Sequence, residues 1–223
     1  TSPLTGRTYV SNSRSPILRN YSVVRATTAP PDGSPEGTEP TVSWDVQTHA
    51  FITLPSAGVG EYGRAMTLST DGSKLYLAYR NPNSLVIVDI APGLTGEPSN
   101  TLLAVVGLGG SPARIAVAPS GPDGRDLVYV SCFGSDDIWI VDPKLRSVRG
   151  VVRLPHSPYA LTVVSDNVGN FALYASLFSR HTLARVPLVD GLPPAGDPSA
   201  WLELFATKDC QADVTPEEVK ACN

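Results

Sequence analysis

Residues 111–158 read SPARIAVAPSGPDGRDLVYVSCFGSDDIWIVDPKLRSVRGVVRLPHSP. Four short runs rich in Val and Ile, each about five to seven residues long, alternate here with polar turn sequences. The runs are ARIAVAP, DLVYVSC, IWIVD and VRGVVRL, and the turns are SGPDGR, FGSDD and PKLR. This pattern predicts four short strands joined by tight turns into an antiparallel meander.

The same unit recurs along the chain, marked by a tyrosine in its second strand and an aliphatic residue nine positions later. The tyrosines are Tyr9, Tyr76, Tyr129 and Tyr174, and the aliphatic residues are Leu18, Leu85, Ile138 and Leu183. Asp89 and Asp142 both lie 13 residues after their tyrosines and are expected to accept hydrogen bonds within turns. Four-stranded units that repeat every 40 to 50 residues, roughly, are typical of a β-propeller. The predicted fold is therefore all-β, a β-propeller with about four to five four-stranded antiparallel blades in this chain.

The repeat resembles a known family. The segments PARIAVAPSGPDG, LVYVS and IWIVD, at 112–124, 127–131 and 138–142, resemble the YVTN-type β-propeller repeat, and the likeness extends best over residues 60–190. It implies a fold shared by lactonase-like and surface-layer-like propellers, with the blades either closing alone or forming part of a larger, seven-bladed ring. It implies no particular chemistry, because many functions are built on one fold.

Composition excludes several classes of partner. The 223 residues carry a net charge of -4 and are 42% hydrophobic, which is ordinary for a β protein. The chain has no run of Lys and Arg residues, which argues against a partner held by nucleic-acid phosphates. No apolar run approaches the roughly 18 residues that span a bilayer. The chain begins TSPLTGRTYV, without a methionine. We therefore expect a mature exported protein, periplasmic, cell-surface or secreted, or a fragment of a longer one.

The blades are expected over residues 1–209, with surface excursions at the proline-rich segments 26–40 and 91–100. A C-terminal tail with a short helix is expected over 210–223. Residues 6–25 match the second and third strands of a blade, with no first strand before them.

Three or four recognisable units lie at the lower limit of the four to eight blades, roughly, that close a ring. An open ring would expose two apolar flanks and the edges of its sheets. We therefore expect closure by poorly matching blades within 1–60 and 191–223, by another polypeptide, or by a missing segment of the same gene product. Within the first of these ranges, Trp44 and Phe51 are expected to pack in an outer strand pair.

The three cysteines divide into one pair and one single residue. Cys210 and Cys222 flank the predicted helix across 11 intervening residues, and a disulfide closing this loop would contribute on the order of 3 kcal/mol. We predict this disulfide, which requires an oxidising, exported location. Cys132 is expected to be a small buried hydrophobic residue and not a nucleophile.

A ligand site is expected on the face of the propeller that carries the loops joining second to third strands and one blade to the next. This expectation comes from the resemblance. The polar residues of those loops are Glu61, Arg64, Asn81, Asn83, Asp136, Asp137, His156, Arg180 and His181. Imidazole, carboxylate and amide groups together could bind a divalent cation, for which calcium is the candidate, or move a proton near neutral pH. The alternative is a solvated polar rim with no ligand, and no cofactor is evident from any motif.

These observations lead to two hypotheses. The first is a non-catalytic, exported propeller that binds protein or serves as a structural subunit of a larger assembly. The alternative is a lactonase-type propeller hydrolase with a metal site on the loop face. No G-x-S-x-G motif supports Ser-His-Asp catalysis. The sequence leaves enzymatic activity undecided and favours the first hypothesis.

Overall fold

The computed structural model describes residues 1–49, 51–56, 62–166, 168–178, 182–200 and 202–206. These residues form four four-stranded antiparallel sheets, so the all-β prediction is confirmed, and the arrangement is a partial β-propeller of four blades. The predicted short helix and the Cys210–Cys222 pair lie outside the described residues. Within the described residues, no helix is both long and apolar enough to cross a membrane.

Each blade is one sheet. Blade 1 contains β1 (Thr8–Asn12), β2 (Ser15–Thr28), β3 (Thr41–Thr48) and β4 (Ile52–Thr53). Blade 2 contains β5 (Gly63–Leu68), β6 (Lys74–Arg80), β7 (Asn83–Asp89) and β8 (Thr101–Gly107). Blade 3 contains β9 (Pro112–Ala118), β10 (Leu127–Cys132), β11 (Asp137–Asp142) and β12 (Ser147–Arg153). Blade 4 contains β13 (Pro158–Ser165), β14 (Phe171–Leu177), β15 (Thr182–Leu188) and β16 (Glu203–Ala206), and two single-turn 3-10 helices span Pro122–Gly124 and Pro198–Ala200.

The strand register confirms the repeat. In every blade the marker tyrosine pairs with the residue 11 positions later, as Tyr9 with Asn20, Tyr76 with Ile87, Tyr129 with Ile140 and Tyr174 with Arg185. Asp89 and Asp142 accept turn hydrogen bonds as expected: Asp89 from the backbone nitrogen of Ala91, and Asp142 from those of Lys144 and Leu145, each at 3.0 Å.

Blade 1 departs from this pattern at both edges. Its marker tyrosine lies on β1, which is an edge strand of the sheet, so the position of the innermost strand is not filled by any described residue. On the outer side, β2 continues to Thr28 and pairs with β3 to form a two-stranded arm. The expected excursion at 26–40 therefore begins inside a strand, and its loop connects the two strands of the arm.

The arm is exposed on both faces. Trp44 and Phe51, which the sequence predicted to be packing residues, are 67% and 59% exposed. That prediction is wrong for both residues: Trp44 lies on the arm, which no other described element covers, and Phe51 lies after the arm, immediately before β4. Paired residues of an antiparallel ribbon share a face, and the pairs Val23–Val46 and Arg25–Trp44 place the larger apolar side chains on one face of the arm.

The hydrophobic core is divided into three parts, each between two neighbouring blades. Tyr9 and Leu77 belong to the core between blades 1 and 2, Tyr76 and Val130 to the core between blades 2 and 3, and Tyr129 to the core between blades 3 and 4. None of these cores joins blade 4 to blade 1 among the described residues. The described residues of the four blades therefore form an open arc with two free flanks.

The free flanks carry both charged and apolar side chains. On blade 1 the flank carries exposed Arg19, opposite Val10, and on blade 4 it carries Arg185, which binds Glu203 at 2.7 Å and the Tyr174 hydroxyl at 3.2 Å. Each flank thus combines an arginine, at a strand position that is buried in blades further inside the arc, with an exposed apolar side chain, Val10 on blade 1 and Leu183 on blade 4.

Candidate functional site

The inner strands of blades 2 to 4 all begin on the same face of the propeller, which we call the loop face. Each of these strands, β5, β9 and β13, has a register shift near its start. A β-bulge of this kind bends the strand and redirects its side chains. Because the three bulges occupy equivalent places, side chains at the start of each inner strand point differently from those of a regular strand.

Three aromatic rings meet on the loop face, in what we call the loop-face cluster: Phe133, Tyr159 and Phe178. The ring centroids of Phe133 and Phe178 are 5.5 Å apart. The centroid of the Tyr159 ring lies 6.3 Å from that of Phe133 and 5.9 Å from that of Phe178. The two pairs that include Phe133 meet edge to face, a favourable geometry for aromatic rings. Phe178 is nevertheless 67% exposed.

The sequence repeat places the two phenylalanines. Phe133 and Phe178 both lie four residues after a marker tyrosine, and their backbone nitrogens donate to the carbonyls of Ser111 and Ser157 at 3.1 and 3.0 Å. In blade 2 the same position is Arg80, whose backbone nitrogen donates to the Tyr62 carbonyl at 3.1 Å. One structural position thus supplies a large side chain to the loop face in three successive blades.

Arg114 joins the cluster from the neighbouring inner strand. Its guanidinium carbon lies 4.7 Å from the centroid of the Tyr159 ring, and Nη2 donates to the Tyr159 hydroxyl at 3.1 Å. Nη1 donates to the carbonyl of Ala113 at 3.2 Å. The cation–π contact and these two hydrogen bonds hold Arg114 in place, so that the loop face presents a positive charge beside exposed aromatic surface.

The two predicted aspartates of blade 3 have different environments. Asp137 is buried, and its Oδ1 accepts hydrogen bonds from Ser135 Oγ at 2.7 Å and Trp139 Nε1 at 2.9 Å. Asp136 is exposed, and its Oδ1 accepts a hydrogen bond from Ser157 Oγ at 3.0 Å. Asp137 therefore holds its own turn together, whereas Asp136 connects blade 3 to the segment that leads into blade 4.

The structure brings two of the predicted loops together: the turn that contains Asp136 and the segment 154–157, which leads into blade 4. The carbonyl of Asp136 accepts a hydrogen bond from the backbone nitrogen of Leu154 at 2.9 Å, and its carboxylate binds Ser157. His156, half-buried, lies between these two anchor points in sequence. Asp136 and His156 thus belong to one group of loops, close in the chain to Tyr159 of the loop-face cluster.

The remaining predicted residues belong to blade 2 or lie outside the described ranges. Arg64 lies in β5 at the bulge, Asn81 precedes a cis proline in the β6–β7 turn, and Asn83 begins β7. Glu61, Arg180 and His181 lie outside the described residues. Within the described part of the chain, no group of three His, Cys, Asp or Glu side chains is arranged to hold a metal ion.

Cys132 is buried and has a free thiol, as predicted. Burial, followed by the charge of Asp137, raises the pKa of the thiol to about 12. It therefore stays protonated at neutral pH and is a packing residue, because only the thiolate is an effective nucleophile.

The residues of the loop-face cluster are not among the predicted site residues, although the sequence contains part of the signal for them. The shared spacing of Phe133 and Phe178 from their tyrosines could have identified both as loop-face residues. The meeting of Arg114 with Tyr159 could not have been found in this way, since it depends on bulges that bring two different blades together.

Comparisons with known proteins agree with the fold. The chain aligns with a candidate 6-phosphogluconolactonase from Bacteroides uniformis at a TM-score of 0.53 and 13% identity, over 94% of this chain and 60% of that one. It also aligns with Kuenenia stuttgartiensis hydrazine synthase at a TM-score of 0.45 and 20% identity, over 56% of this chain and 32% of that one. A third similar structure is apo AztD from Citrobacter koseri, with a TM-score of 0.43, 14% identity, and coverage of 81% and 44%.

These likenesses show the β-propeller fold alone, and the first of the three carries that conclusion. The chain spans 60%, 32% and 44% of the lengths of these three structures. No family model matches the chain, and no curated protein matches it.

Proposed function

We propose that the protein is a non-catalytic, exported β-propeller of the YVTN type that binds protein as a subunit of a larger assembly. The observation that carries this proposal is the loop-face cluster, in which an anchored arginine lies beside partly exposed aromatic rings. Aromatic residues and arginine are enriched in protein–protein interfaces, and tyrosine and arginine are common among the few residues that dominate the binding energy. The aromatic side chains combine a large contact area with few conformations to lose on binding.

The arm of blade 1 is a second contact surface in this proposal. Val23, Trp44 and Val46 lie on one face and are 54%, 67% and 62% exposed. Contiguous exposed apolar surface of this kind is typical of interaction sites. Because the arm projects from the blade, it can reach a partner that the loop face does not contact.

The same proposal includes a partner, either another polypeptide or another segment of the same gene product, that completes the propeller. Two observations support it: no described residue fills the innermost position of blade 1 beside β1, and the described cores join the blades only in sequence. Such a partner would add a strand to the free edge of β1, since open edges form backbone hydrogen bonds readily. On the other flank it would meet Arg185 and Glu203 and would therefore need polar groups there.

Native mass spectrometry of the isolated protein tests this function. We expect the 23.5 kDa chain to travel with a second polypeptide, and the double variant Phe133→Ala and Phe178→Ala to lose it. Phe51→Ala is the matched control, since this phenylalanine is similarly exposed but lies in blade 1. A chain that stays alone in the wild type would contradict the proposal, and a complex that survives the double variant would show that the loop-face cluster does not hold the partner.

Export is tested by thiol counting. If Cys210 and Cys222 form the proposed disulfide, alkylation of the denatured, unreduced protein modifies one of the three cysteines, and alkylation after reduction modifies all three. Modification of all three without reduction would argue against an oxidising location.

The lactonase-type alternative is a second proposal. It is favoured by the structural likeness to the candidate 6-phosphogluconolactonase and by Asn81, Asn83 and Asp136, which lie in or next to the turns joining second to third strands. Calcium would be the cofactor, bound by amide and carboxylate oxygens. Calorimetric titration with calcium, followed by a lactone hydrolysis assay, tests it: no heat and no hydrolysis would exclude this alternative.

A further inference from the structure

The marker tyrosines reveal a difference between the three inter-blade interfaces. On the face opposite the loop face, the tyrosines of blades 1 to 3, Tyr9, Tyr76 and Tyr129, lie beside the connection between the third and fourth strands of the next blade. The Tyr9 hydroxyl donates to Asn100 Oδ1 at 2.9 Å, and the Tyr129 hydroxyl donates to the Gly191 carbonyl at 2.8 Å. At these two interfaces the connection of the next blade covers the hydroxyl.

At the middle interface the hydroxyl is not covered. Tyr76 is 1% exposed, but its hydroxyl has no hydrogen-bond partner among the described residues. The reason is the length of the next connection. In blade 3 only residues 143–146 join β11 to β12, whereas residues 90–100 and 189–202 form the corresponding connections of blades 2 and 4. The short turn does not reach the tyrosine and leaves a cavity of about 340 Å³.

Charged groups of both signs line this cavity. Lys74, Arg125 and Lys144 contribute three positive charges. Asp71 and Asp126 contribute two negative charges, and Asp142, paired with Arg125 at 3.0 Å, contributes a third. With Asp142 counted as the partner of Arg125, the formal charges sum to zero, so the surroundings of the cavity have no net charge of either sign.

The carboxylates are already held in place by the protein. Asp126 accepts hydrogen bonds from the backbone nitrogen and the hydroxyl of Thr70, at 2.9 and 2.6 Å. Asp71 accepts hydrogen bonds from Ser69 and from Ser73. These contacts fix the walls and leave lone pairs that can accept further hydrogen bonds, since a carboxylate has about four acceptor positions.

The hydroxyl of Tyr76 stays a neutral donor. Burial, and then the charges of Asp126, Asp71 and Asp142, raise its pKa. The hydroxyl faces the cavity and has no partner among the described residues, so a ligand that accepts its hydrogen bond would take the place of water there. The volume of the cavity lies at the lower end of the range for small-molecule sites.

We infer that this cavity, the Tyr76 cavity, binds a neutral polyhydroxylated molecule of about monosaccharide size. Vicinal hydroxyl groups both accept and donate, so they can accept from Tyr76 and the two lysines while donating to Asp71 and Asp126. A neutral ligand also avoids the cost of desolvating an ion against a wall with no net charge. The inference is independent of the proposed protein-binding function, because the cavity and the loop-face cluster lie at opposite ends of the blades.

Isothermal titration calorimetry with D-glucose and myo-inositol, each tested separately, is the first experiment. We expect saturable binding of at least one probe to the wild type, and about tenfold weaker binding to Tyr76→Phe, which removes one hydrogen-bond donor. Tyr129→Phe is the matched control and should bind as the wild type does, because its hydroxyl is already used within the protein. Lys144→Ala, at an exposed position, is a second variant that should fold normally and weaken binding several-fold.

Three outcomes would overturn the inference. The first is the absence of saturable heat with either probe, and the second is equal affinity in wild type and Tyr76→Phe. The third is binding of inorganic phosphate at constant ionic strength in place of the neutral probes, since it would show that the site prefers an anion. Calorimetry is needed here because sugars at high concentration stabilise any protein by exclusion from its surface, so a shift in melting temperature alone would not decide the matter.

Discussion

The inner interfaces and the free flanks of the arc share one backbone pattern but differ in chemistry. The position 11 residues after the marker tyrosine is a fully buried isoleucine in blades 2 and 3, Ile87 and Ile140, and an arginine on the free flank of blade 4, Arg185. The equivalent contrast on the other flank is Arg19 in blade 1 against buried Val86 in blade 2. Strand pairing does not require an apolar residue at these positions, whereas packing between blades does. The repeat therefore specifies the blade, and the side chain at this position decides whether another blade can pack on it.

The strongest test of this contrast is to place the flank residue inside the arc. We expect Ile140→Arg to destabilise the protein by more than about 4 kcal/mol, since it buries an unpaired charge between blades 3 and 4. A urea titration monitored by circular dichroism would show this destabilisation as the loss of the cooperative unfolding transition. A variant that unfolds as the wild type does would mean that the inner interface is as tolerant as the flank.

The two buried tyrosines of the inner interfaces sharpen the comparison at the level of single hydrogen bonds. Tyr129→Phe removes hydrogen bonds to Ser120 and Gly191 and should cost about 1–3 kcal/mol. Tyr76→Phe should change the free energy of unfolding by less than about 0.5 kcal/mol in the absence of ligand, because its hydroxyl has no partner among the described residues. Urea midpoints of the two variants, measured side by side, check this difference, and equal losses would contradict it.

The reverse substitution probes the flank. Arg185→Ile removes a partly exposed ion pair with Glu203, which should cost less than about 1 kcal/mol. It should also make the flank of blade 4 resemble an inner interface, so we expect concentration-dependent self-association by light scattering. A variant that stays monomeric at every concentration would show that this flank lacks the shape needed for packing.

The smallest effect is expected in the turns between first and second strands. Burial opposes ionisation of Asp71, but hydrogen bonds from Ser69 and Ser73 outweigh it and lower the pKa to about 2. In blade 4, a hydrogen bond from Asn170 lowers the pKa of Asp166. A depressed pKa in the folded state adds stability above the unfolded value near 3.8, and this contribution is lost as the pH falls toward 2.

We therefore expect Asp71→Asn to lower the urea midpoint slightly at pH 7, by less than about 1 kcal/mol in free energy because the residue is exposed. The difference from wild type should disappear below pH 2. Asp166→Asn should follow the same pH dependence. A difference that persists unchanged in acid would show that the carboxylate charge does not contribute.

The repeat could be predicted from sequence because its signal is local. The spacing from Tyr129 to Ile138 and Asp142 reflects strand and turn lengths, which are set by nearby residues. The environment of Trp44 could not be predicted, because a strand with alternating polar and apolar residues has the same sequence pattern on a packed blade and on a projecting arm. The Arg114–Tyr159 contact and the Tyr76 cavity depend on how one blade meets the next, which involves residues far apart in the chain.

The order in which the blades unfold depends on the three cores, each of which joins two neighbouring blades. In a closed ring, every blade is held by two neighbours, and no blade can leave first. In this arc, blades 1 and 4 each have a single packed neighbour among the described residues. Stability then adds up along a line, as in repeat proteins whose units contact only their nearest neighbours. Unfolding should begin at the two ends and reach Tyr76 and Ile140 last, unless a partner joins the ends and makes the whole protein one cooperative unit.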